Sequence, residues 1–145
     1  MAIVTDYLKN EETYPLFLDG DSLDILKSFP DESIDCCITS PPYWGKRQYE
    51  NGGIGLEKKY SEYIENLLAI IFEVRRVLKP SGAFWLNIGD SYKNKNLLGI
   101  PWRVALRMMD DGWHLRNDVI WYKHKGGLSP SKDRFGSVYE DFFFF

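Results

Sequence analysis

The sequence predicts an α/β fold with a mostly parallel sheet and helices on both faces of that sheet. Short apolar runs alternate with helix-period segments, in the order strand-helix-strand-helix-strand-helix-strand-strand, which is typical of an α/β sheet. Polar residues also follow directly after predicted strands, at Asp21, Ser40 and Asp90. Ligands of such sheets bind outside the carboxyl ends of the strands. These three side chains are therefore expected to share one composite site.

Length and composition indicate one globular domain. The chain has 145 residues, of which 44% are hydrophobic and 27% are charged, as in ordinary soluble proteins. No apolar run approaches the ~20 residues of a membrane span, and no signal peptide is evident. Two adjacent cysteines provide no disulfide framework and no metal-ligand spacing, so we expect a cytoplasmic protein without a metal site or a membrane partner.

The net charge of −3 does not by itself indicate a nucleic-acid partner. A global sum can conceal a local basic patch, however. Between His114 and Arg134 there are five lysines or arginines against two aspartates. The acidic residues lie mostly elsewhere, so this segment is a candidate for contact with phosphate.

The first third of the chain predicts an arm, two strands and a helix. Residues 1–14 are polar without a clear period, so they are expected to form a loose N-terminal arm before a domain of residues 15–145. An apolar run at Tyr14–Leu18 predicts a strand. Ser22 can cap a helix from Leu23 to about Phe29. A second apolar run, Ile34–Thr39, predicts a buried strand.

The remaining elements follow from helical spacing and from turn residues. Apolar residues recur every three or four positions over 60–78, which predicts a long amphipathic helix that Pro80 and Gly82 terminate. Residues 83–88 form another apolar run. Pro101 suits the first turn of a helix to about Asp110. The last predicted elements are strands at 113–122 and 138–145.

A rigid turn follows the strand that ends at Thr39. The Ser-Pro-Pro-Tyr-Trp run is stiff because proline fixes its own φ, has no N–H group and holds the preceding residue extended. The carbonyls of Ser40 and Pro41 consequently lack their usual local partners. Tyr43 and Trp44 add two flat π faces. Acceptors beside a stacking surface suit the exocyclic amine of a nucleobase.

A glycine-rich loop carries Lys46 and Arg47 directly after this turn. A basic loop beside a stacking pocket could contact phosphate. On charge alone, a solvated pair of loop side chains explains the same residues equally well.

Four blocks of the chain carry a resemblance to a known family: residues 17–23, 35–45, 73–80 and 84–91. Taken together, they resemble the amino-methylating DNA methyltransferases. Within that family the chain is similar to the cytosine-N4 branch in which the catalytic half comes first, because the adenine-N6 branch more often has Asp in place of Ser40. The resemblance implies a partial Rossmann-like methyltransferase fold with an antiparallel last strand.

The resemblance also implies a reaction. A target base is flipped out of duplex DNA and stacks on Tyr43. The Ser40 side chain and the Pro41 carbonyl, in a turn that Pro42 stiffens, accept hydrogen bonds from the amino group. The methyl group passes directly from S-adenosylmethionine to the amine, without a covalent enzyme intermediate. Cys36 and Cys37 precede the turn, and packing is their expected role.

The other roles implied by the resemblance concern cofactor and DNA. Asp90 is either a site residue or a helix cap. The family pattern near the end of the chain is matched by Lys123, Pro130, Asp133, Arg134 and Glu140. The implied cofactor-binding residues are Asp21, Asp19 and Thr39, and the implied DNA-binding residues are Trp44, Lys46, Arg47, Lys123 and Arg134.

The family's glycine-rich cofactor-binding block, which lies C-terminal in this arrangement, is not found in the sequence. In the family's sheet, two strands of that missing half separate the strand ending at Asp21 from the strand ending at Ser40. We therefore expect a cofactor-binding half from another chain, or pairing with a second copy. The isolated chain is expected to be inactive and to bind cofactor weakly.

Three alternatives remain open on the sequence. The chain could belong to an adenine-N6 DNA methyltransferase, since Ser40 indicates a tendency only. It could be a catalytically inactive, methyltransferase-like binding module. An enzyme that methylates a protein amide also uses a Pro-Pro-Tyr turn, although Asn usually stands where this chain has Ser40.

Overall fold

A computed structural model describes residues 2–10, 14–47, 52–124 and 131–145. It contains four helices, α1 Ala2–Leu8, α2 Ser22–Lys27, α3 Tyr60–Val77 and α4 Ile100–Asp110. Its strands are β1 Ile34–Thr39, β2 Leu78–Ile88, β3 Tyr92–Lys93, β4 Asn96–Leu97, β5 Asn117–Tyr122 and β6 Tyr139–Phe144. None of the helices in these ranges is long and apolar enough to cross a membrane.

Four strands form one mixed sheet in the order β1-β2-β6-β5. Strands β1 and β2 are parallel, whereas β6 is antiparallel to both β2 and β5. The antiparallel last strand is confirmed. Strands β1, β2 and β5 run in one direction and β6 runs opposite to them, so the sheet is mixed, with one parallel and two antiparallel neighbouring pairs.

The hydrophobic core lies on one face of this sheet. Side chains at alternate positions of β2 point toward the helices, and Phe84, Leu86 and Ile88 are fully buried there. Phe143 of β6 pairs with Leu86 and extends the same face. Helices α3 and α4 cover it with the apolar stripes that the sequence predicts.

The opposite face of the sheet is open. Ile38 is 69% exposed and Trp121 is 53% exposed on that side, and the rings of Trp85 and Phe144 stack there at 4.3 Å. Both long helices, α3 and α4, pack on the other face, so the prediction of helices on both faces is not confirmed for the described residues. Alternation alone predicts which residues share a face, and says nothing of what covers that face.

The predicted strand at Tyr14–Leu18 is absent, and this prediction is wrong. The segment is irregular, and Phe17 is 90% exposed. A strand needs a neighbour for its backbone N–H and C=O groups, and the described residues place no strand beside it. Residues 2–8 form α1 in the segment where a loose arm was expected.

Strand β1 is an edge strand. Its second edge has no hydrogen-bonded neighbour among the described residues. The other element boundaries lie close to the predictions, except that β2 begins five residues earlier, at Leu78, and β5 begins four residues later, at Asn117.

Candidate active site

The Ser-Pro-Pro-Tyr turn lies at the carboxyl end of β1, where the sequence predicted a site. It borders a cleft of about 440 Å³, within the usual ~300–1,000 Å³ of ligand sites. The cleft brings together seven of the predicted site residues, Ser40, Pro41, Pro42, Tyr43, Lys46, Arg47 and Lys123. Sequence reasoning missed the roles of three others that line it, Asn87, Trp121 and Glu140.

A hydrogen-bond network connects the turn to the last strand. The Tyr43 hydroxyl donates to Glu140 Oε2 at 3.0 Å and lies 3.1 Å from Ser40 Oγ. Asn87 Nδ2 donates to the Tyr43 hydroxyl at 2.8 Å and to Glu140 Oε2 at 3.0 Å. Lys123 donates to the other carboxylate oxygen of Glu140 and forms an ion pair with it.

The Glu140 carboxylate sets the direction of these hydrogen bonds. Burial alone would raise the pKa of Glu140, but hydrogen bonds from Lys123, Asn87 and Tyr43 hold that pKa below its ordinary value. An ionised carboxylate only accepts, so Tyr43 must donate its single proton to Glu140. Ser40 is then the donor to Tyr43. Because Asn87 Nδ2 also lies 3.4 Å from Ser40 Oγ as a donor, one lone pair of that oxygen is left for a further N–H group.

The phenol of Tyr43 remains protonated across the physiological range. Burial raises its pKa to about 12; the hydrogen bond with Ser40 acts in the opposite direction, and the Glu140 charge adds to the rise. A protonated phenol keeps the donor that the network requires. The buried Oδ1 of Asn87 has no hydrogen-bond partner among the described residues.

The ring of Tyr43 lies against the backbone of Gly89, just beyond β2. A Cβ atom at position 89 would meet Tyr43 Cε2 at 2.6 Å and Cδ2 at 2.8 Å, closer than real side chains approach. The glycine after β2 therefore allows the aromatic ring to sit beside the strand end.

Trp44 is anchored rather than free. Its indole N–H donates to the backbone oxygen of Glu57 at 2.9 Å, and the Lys93 ammonium lies 5.6 Å from its ring centroid. Tyr60 contacts the same ring edge-on. The predicted DNA-binding role of Trp44 stays a prediction, and these contacts give it a part in holding the loop after the turn.

The predicted basic residues have different surroundings. Lys46 and Arg47 are exposed at the mouth of the cleft. Lys123 is held by Glu140. Arg134 lies over the ring of Tyr92, 4.1 Å from its centroid, and contacts Asp133 at 3.4 Å.

The predicted cofactor-binding residues are not assembled with this cleft. Asp19 and Asp21 are exposed and do not line it, and Thr39 pairs with Leu86 inside the sheet. Asp21 caps α2 by accepting from the backbone N–H groups of Leu23 and Asp24, the role that the sequence assigned to Ser22. The composite site that Asp21 was expected to share is therefore not formed by the described residues.

Asp90 acts as a cap for α4. Its carboxylate accepts from the backbone N–H of Gly99 at 2.8 Å, of Ile100 at 3.0 Å and of Ser91 at 2.8 Å. Of the two roles that the sequence left open, the structure supports the helix cap.

Cys37 packs against the core, and burial raises the pKa of its thiol to about 11. Cys36 is exposed on the open face. A thiol with a raised pKa is a poor nucleophile, in agreement with a packing role for Cys37.

A larger cavity, of about 840 Å³, lies at the other end of the sheet, where β2 begins and Phe145 ends the chain. It contains none of the predicted site residues. Cavity size alone does not identify the candidate active site, because the smaller cleft holds the convergent polar groups.

Two features define the class of protein: the mixed α/β sheet and the Ser-Pro-Pro-Tyr turn with its oriented acceptor. The chain belongs to the DNA methylase family, which matches residues 34–145. The type II methyltransferase M.SfiI of Streptomyces fimbriatus is 43% identical over 142 residues, which cover 86% of this chain and 34% of that protein.

Solved structures agree. The PvuII DNA methyltransferase (cytosine-N4-specific) matches with a TM-score of 0.71 and 30% identity, over 86% of this chain and 46% of that one. A chain described as a DNA modification methylase from Thermus thermophilus, complexed with S-adenosyl-L-methionine, matches with a TM-score of 0.67 and 26% identity. The match covers 86% of this chain and 52% of that one. The chain thus spans about half or less of the proteins that it resembles.

Proposed function

We propose that this chain supplies the base-binding half of a restriction-modification DNA methyltransferase that methylates cytosine N4. The observation that carries this proposal is a series of two hydrogen bonds, in which Ser40 donates to Tyr43 and Tyr43 donates to Glu140. Because Ser40 donates its proton to Tyr43 and accepts from Asn87, its oxygen presents one remaining lone pair to an amino group. The exposed position of Ser40 at the end of β1 makes that oxygen accessible.

An acceptor of this kind can orient an exocyclic amine for methyl transfer. The amino nitrogen of cytosine is conjugated with its ring, so its lone pair is poorly nucleophilic while the N–H bonds lie in the ring plane. Acceptors at Ser40 Oγ and at the Pro41 carbonyl, which accepts no other hydrogen bond from the described residues, would orient the two N–H bonds. The lone pair would then point away from both acceptors, and fixed positioning of this kind is a major source of catalytic rate.

The target base would reach the cleft by flipping out of the duplex. Tyr43 would stack on it, with its own ring held by Gly89 and its hydroxyl held by Glu140 and Asn87. Lys46 and Arg47 at the mouth of the cleft would contact the phosphates on either side of the flipped nucleotide.

S-adenosylmethionine is the proposed methyl donor of the assembled enzyme. The described residues do not by themselves form its site, because Asp19 and Asp21 lie outside the cleft and the segment before them forms no strand. In the assembled enzyme these two aspartates and Thr39 would contribute to the cofactor side of the pocket.

We further propose that a cofactor-binding half completes the sheet. Two observations support it: among the described residues β1 leaves one edge unpaired, and the open face, which carries Ile38, Trp85 and Trp121, is not covered by either of the two long helices. Unpaired strand edges and apolar faces are costly in water. A complementary polypeptide that adds strands at β1 and helices on this face would remove both costs, and the assembled enzyme would act on double-stranded DNA in the cytoplasm.

The experiment combines this chain with the C-terminal half of a related type II methyltransferase, supplied as a second polypeptide. We expect N4-methylcytosine in duplex DNA, identified by mass spectrometry of the digested nucleosides, only when both polypeptides are present. N6-methyladenine as the product would favour the adenine alternative. Well-formed complexes without any methylated product would favour an inactive binding module.

A second measurement addresses the isolated chain. Calorimetric titration of S-adenosylmethionine into this chain alone should give no binding at micromolar concentrations, because half of the pocket is lacking. Micromolar affinity would contradict the division of the site between two polypeptides.

A further inference from the structure

A short hairpin beside the cleft has features that the fold does not require. Strands β3 and β4 pair Tyr92 with Leu97 and are joined by Asn94 and Lys95. Both turn residues have positive φ, 50° and 67°, which is the type I′ turn that suits the twist of a two-residue hairpin. A hydrogen bond of 3.0 Å from Leu98 N to the Ser91 carbonyl closes its base.

Contacts on both sides place this hairpin next to the active site. Ser91 Oγ donates to the Trp44 carbonyl at 2.7 Å, in the loop that follows the Ser-Pro-Pro-Tyr turn. The Lys93 ammonium faces the Trp44 ring. On the other side, the Arg134 guanidinium lies over Tyr92. The hairpin therefore joins the loop with Lys46 and Arg47 to the segment before β6.

The hairpin is basic although the chain is acidic. Residues 92–99 contain Lys93 and Lys95 and no acidic side chain. Every residue from Lys93 to Leu97 is exposed. Asn94 and Asn96 add neutral hydrogen-bond donors at the same tip. Lysine and asparagine are common donors to phosphate oxygens.

Lys95 is the most informative of these residues. It has left-handed backbone geometry, which costs a residue with a side chain roughly 1–2 kcal/mol and favours glycine. Within the described part of the chain its ammonium group makes no hydrogen bond or ion pair. Intramolecular contacts thus do not account for a lysine at this position, and an external partner of negative charge would.

We propose that the β3–β4 hairpin binds the phosphate backbone of duplex DNA, with Lys95 as a direct contact. This inference rests on the proposed function, and it adds a DNA-binding element to the basic residues at the mouth of the cleft. Because the hairpin is fixed to Trp44 through Ser91, a bound phosphate would also hold the DNA in register with the Ser40 acceptor.

Two glycine substitutions in the same turn test the proposal. Lys95→Gly removes the charge, and Asn94→Gly leaves it; both relieve the left-handed backbone, so neither should lower the melting temperature. Binding of a short double-stranded oligonucleotide is followed by fluorescence anisotropy between about 50 and 200 mM salt. Lys9→Gln, at the opposite end of the sheet near Pro30, is the matched control for loss of one lysine charge.

We expect Lys95→Gly to reduce the slope of log affinity against log salt by about 0.9 and to weaken binding roughly fivefold to tenfold at 0.1 M salt, as for loss of one phosphate contact. Asn94→Gly and Lys9→Gln should keep the slope of the unmodified chain. Equal slopes for all four proteins, or no binding of the duplex by the unmodified chain at the lowest salt, would overturn the proposal.

Failure of this inference is distinguishable from failure of the proposed function. The two-polypeptide enzyme is assayed with Lys95→Gly in place of the unmodified chain. N4-methylcytosine formed with an unchanged KM for DNA would refute the hairpin contact and leave the proposed function standing. Absence of product with the unmodified chain would count against the proposed function, whatever the salt dependence of DNA binding.

Discussion

The Tyr43 hydroxyl donates a 3.0 Å hydrogen bond to the carboxylate of Glu140, a residue 97 positions further along the chain. This bond connects the end of β1 to the beginning of β6. Because Glu140 can only accept, Tyr43 donates to it and Ser40 donates to Tyr43, so the Ser40 oxygen is left to act as an acceptor.

Replacement of Glu140 by Gln should impair catalysis more than folding. The amide can donate as well as accept, so Tyr43 is no longer forced to donate and the ion pair with Lys123 is lost. We expect the N4-methylation rate of the two-polypeptide enzyme to fall by at least about tenfold, a smaller effect than the roughly 10²–10³ that follows loss of a group directly contacting the reacting atoms. Glu65→Gln, which breaks the exposed ion pair with Arg107, is the control and should leave the rate unchanged.

Gly89→Ala should displace the ring of Tyr43. The added methyl group would lie 2.6 Å from Tyr43 Cε2, and overpacking of this kind costs about 1–3 kcal/mol. Urea unfolding should show the loss of stability, and ring displacement should also lower the methylation rate. Gly136→Ala is the control, because a Cβ atom there meets nothing within 4 Å; equal stability of the two variants would refute the close contact.

The buried Asp141 should make the chain less stable as the pH rises. Burial raises the pKa of this carboxyl to about 6, with additional effects from Asp118 and Asp90. Its folded-state pKa exceeds the unfolded value, so its contribution is complete below about pH 4 and is lost as the pH passes 6. The loss is on the order of 2–3 kcal/mol at one pKa unit per 1.36 kcal/mol.

Urea unfolding of Asp141→Asn between pH 4 and pH 8 checks this prediction. Glu140 contributes in the opposite sense, since its lowered pKa favours the folded state above about pH 4.5. The difference in the free energy of unfolding between the variant and the unmodified chain isolates the contribution of Asp141. The variant should become more stable relative to the unmodified chain from pH 4 to pH 8. A difference that does not change with pH would contradict the raised pKa.

Ile38→Asp should prevent assembly with the cofactor-binding half without unfolding the chain. Ile38 is 69% exposed on the open face of the sheet, so the charge remains in water in the isolated chain. Sedimentation of the mixed polypeptides should show loss of the complex. Phe72→Asp is the matched control, because Phe72 is 66% exposed on α3, on the opposite side of the sheet. Equal loss with both variants would refute a role for the open face.

Local sequence patterns were sufficient for part of this structure. The strand that ends at Thr39, the rigid turn after it and the apolar stripe of α3 each depend on neighbouring residues only, and all three are found where predicted. The strand at Tyr14–Leu18 was predicted from an equally good pattern and is absent. The absence of this strand shows that a strand also needs a hydrogen-bonding partner, and a local sequence pattern does not indicate whether one is available.

The sequence by itself determined that a stiff turn with unsatisfied acceptors follows β1, because proline geometry is a property of the residues themselves. Only the tertiary structure decided what orients those acceptors. Antiparallel insertion of β6 beside β2 brings Glu140 to Tyr43 and Asn87. Such pairings join residues far apart in the chain, and they depend on which strands compete for each edge of the sheet.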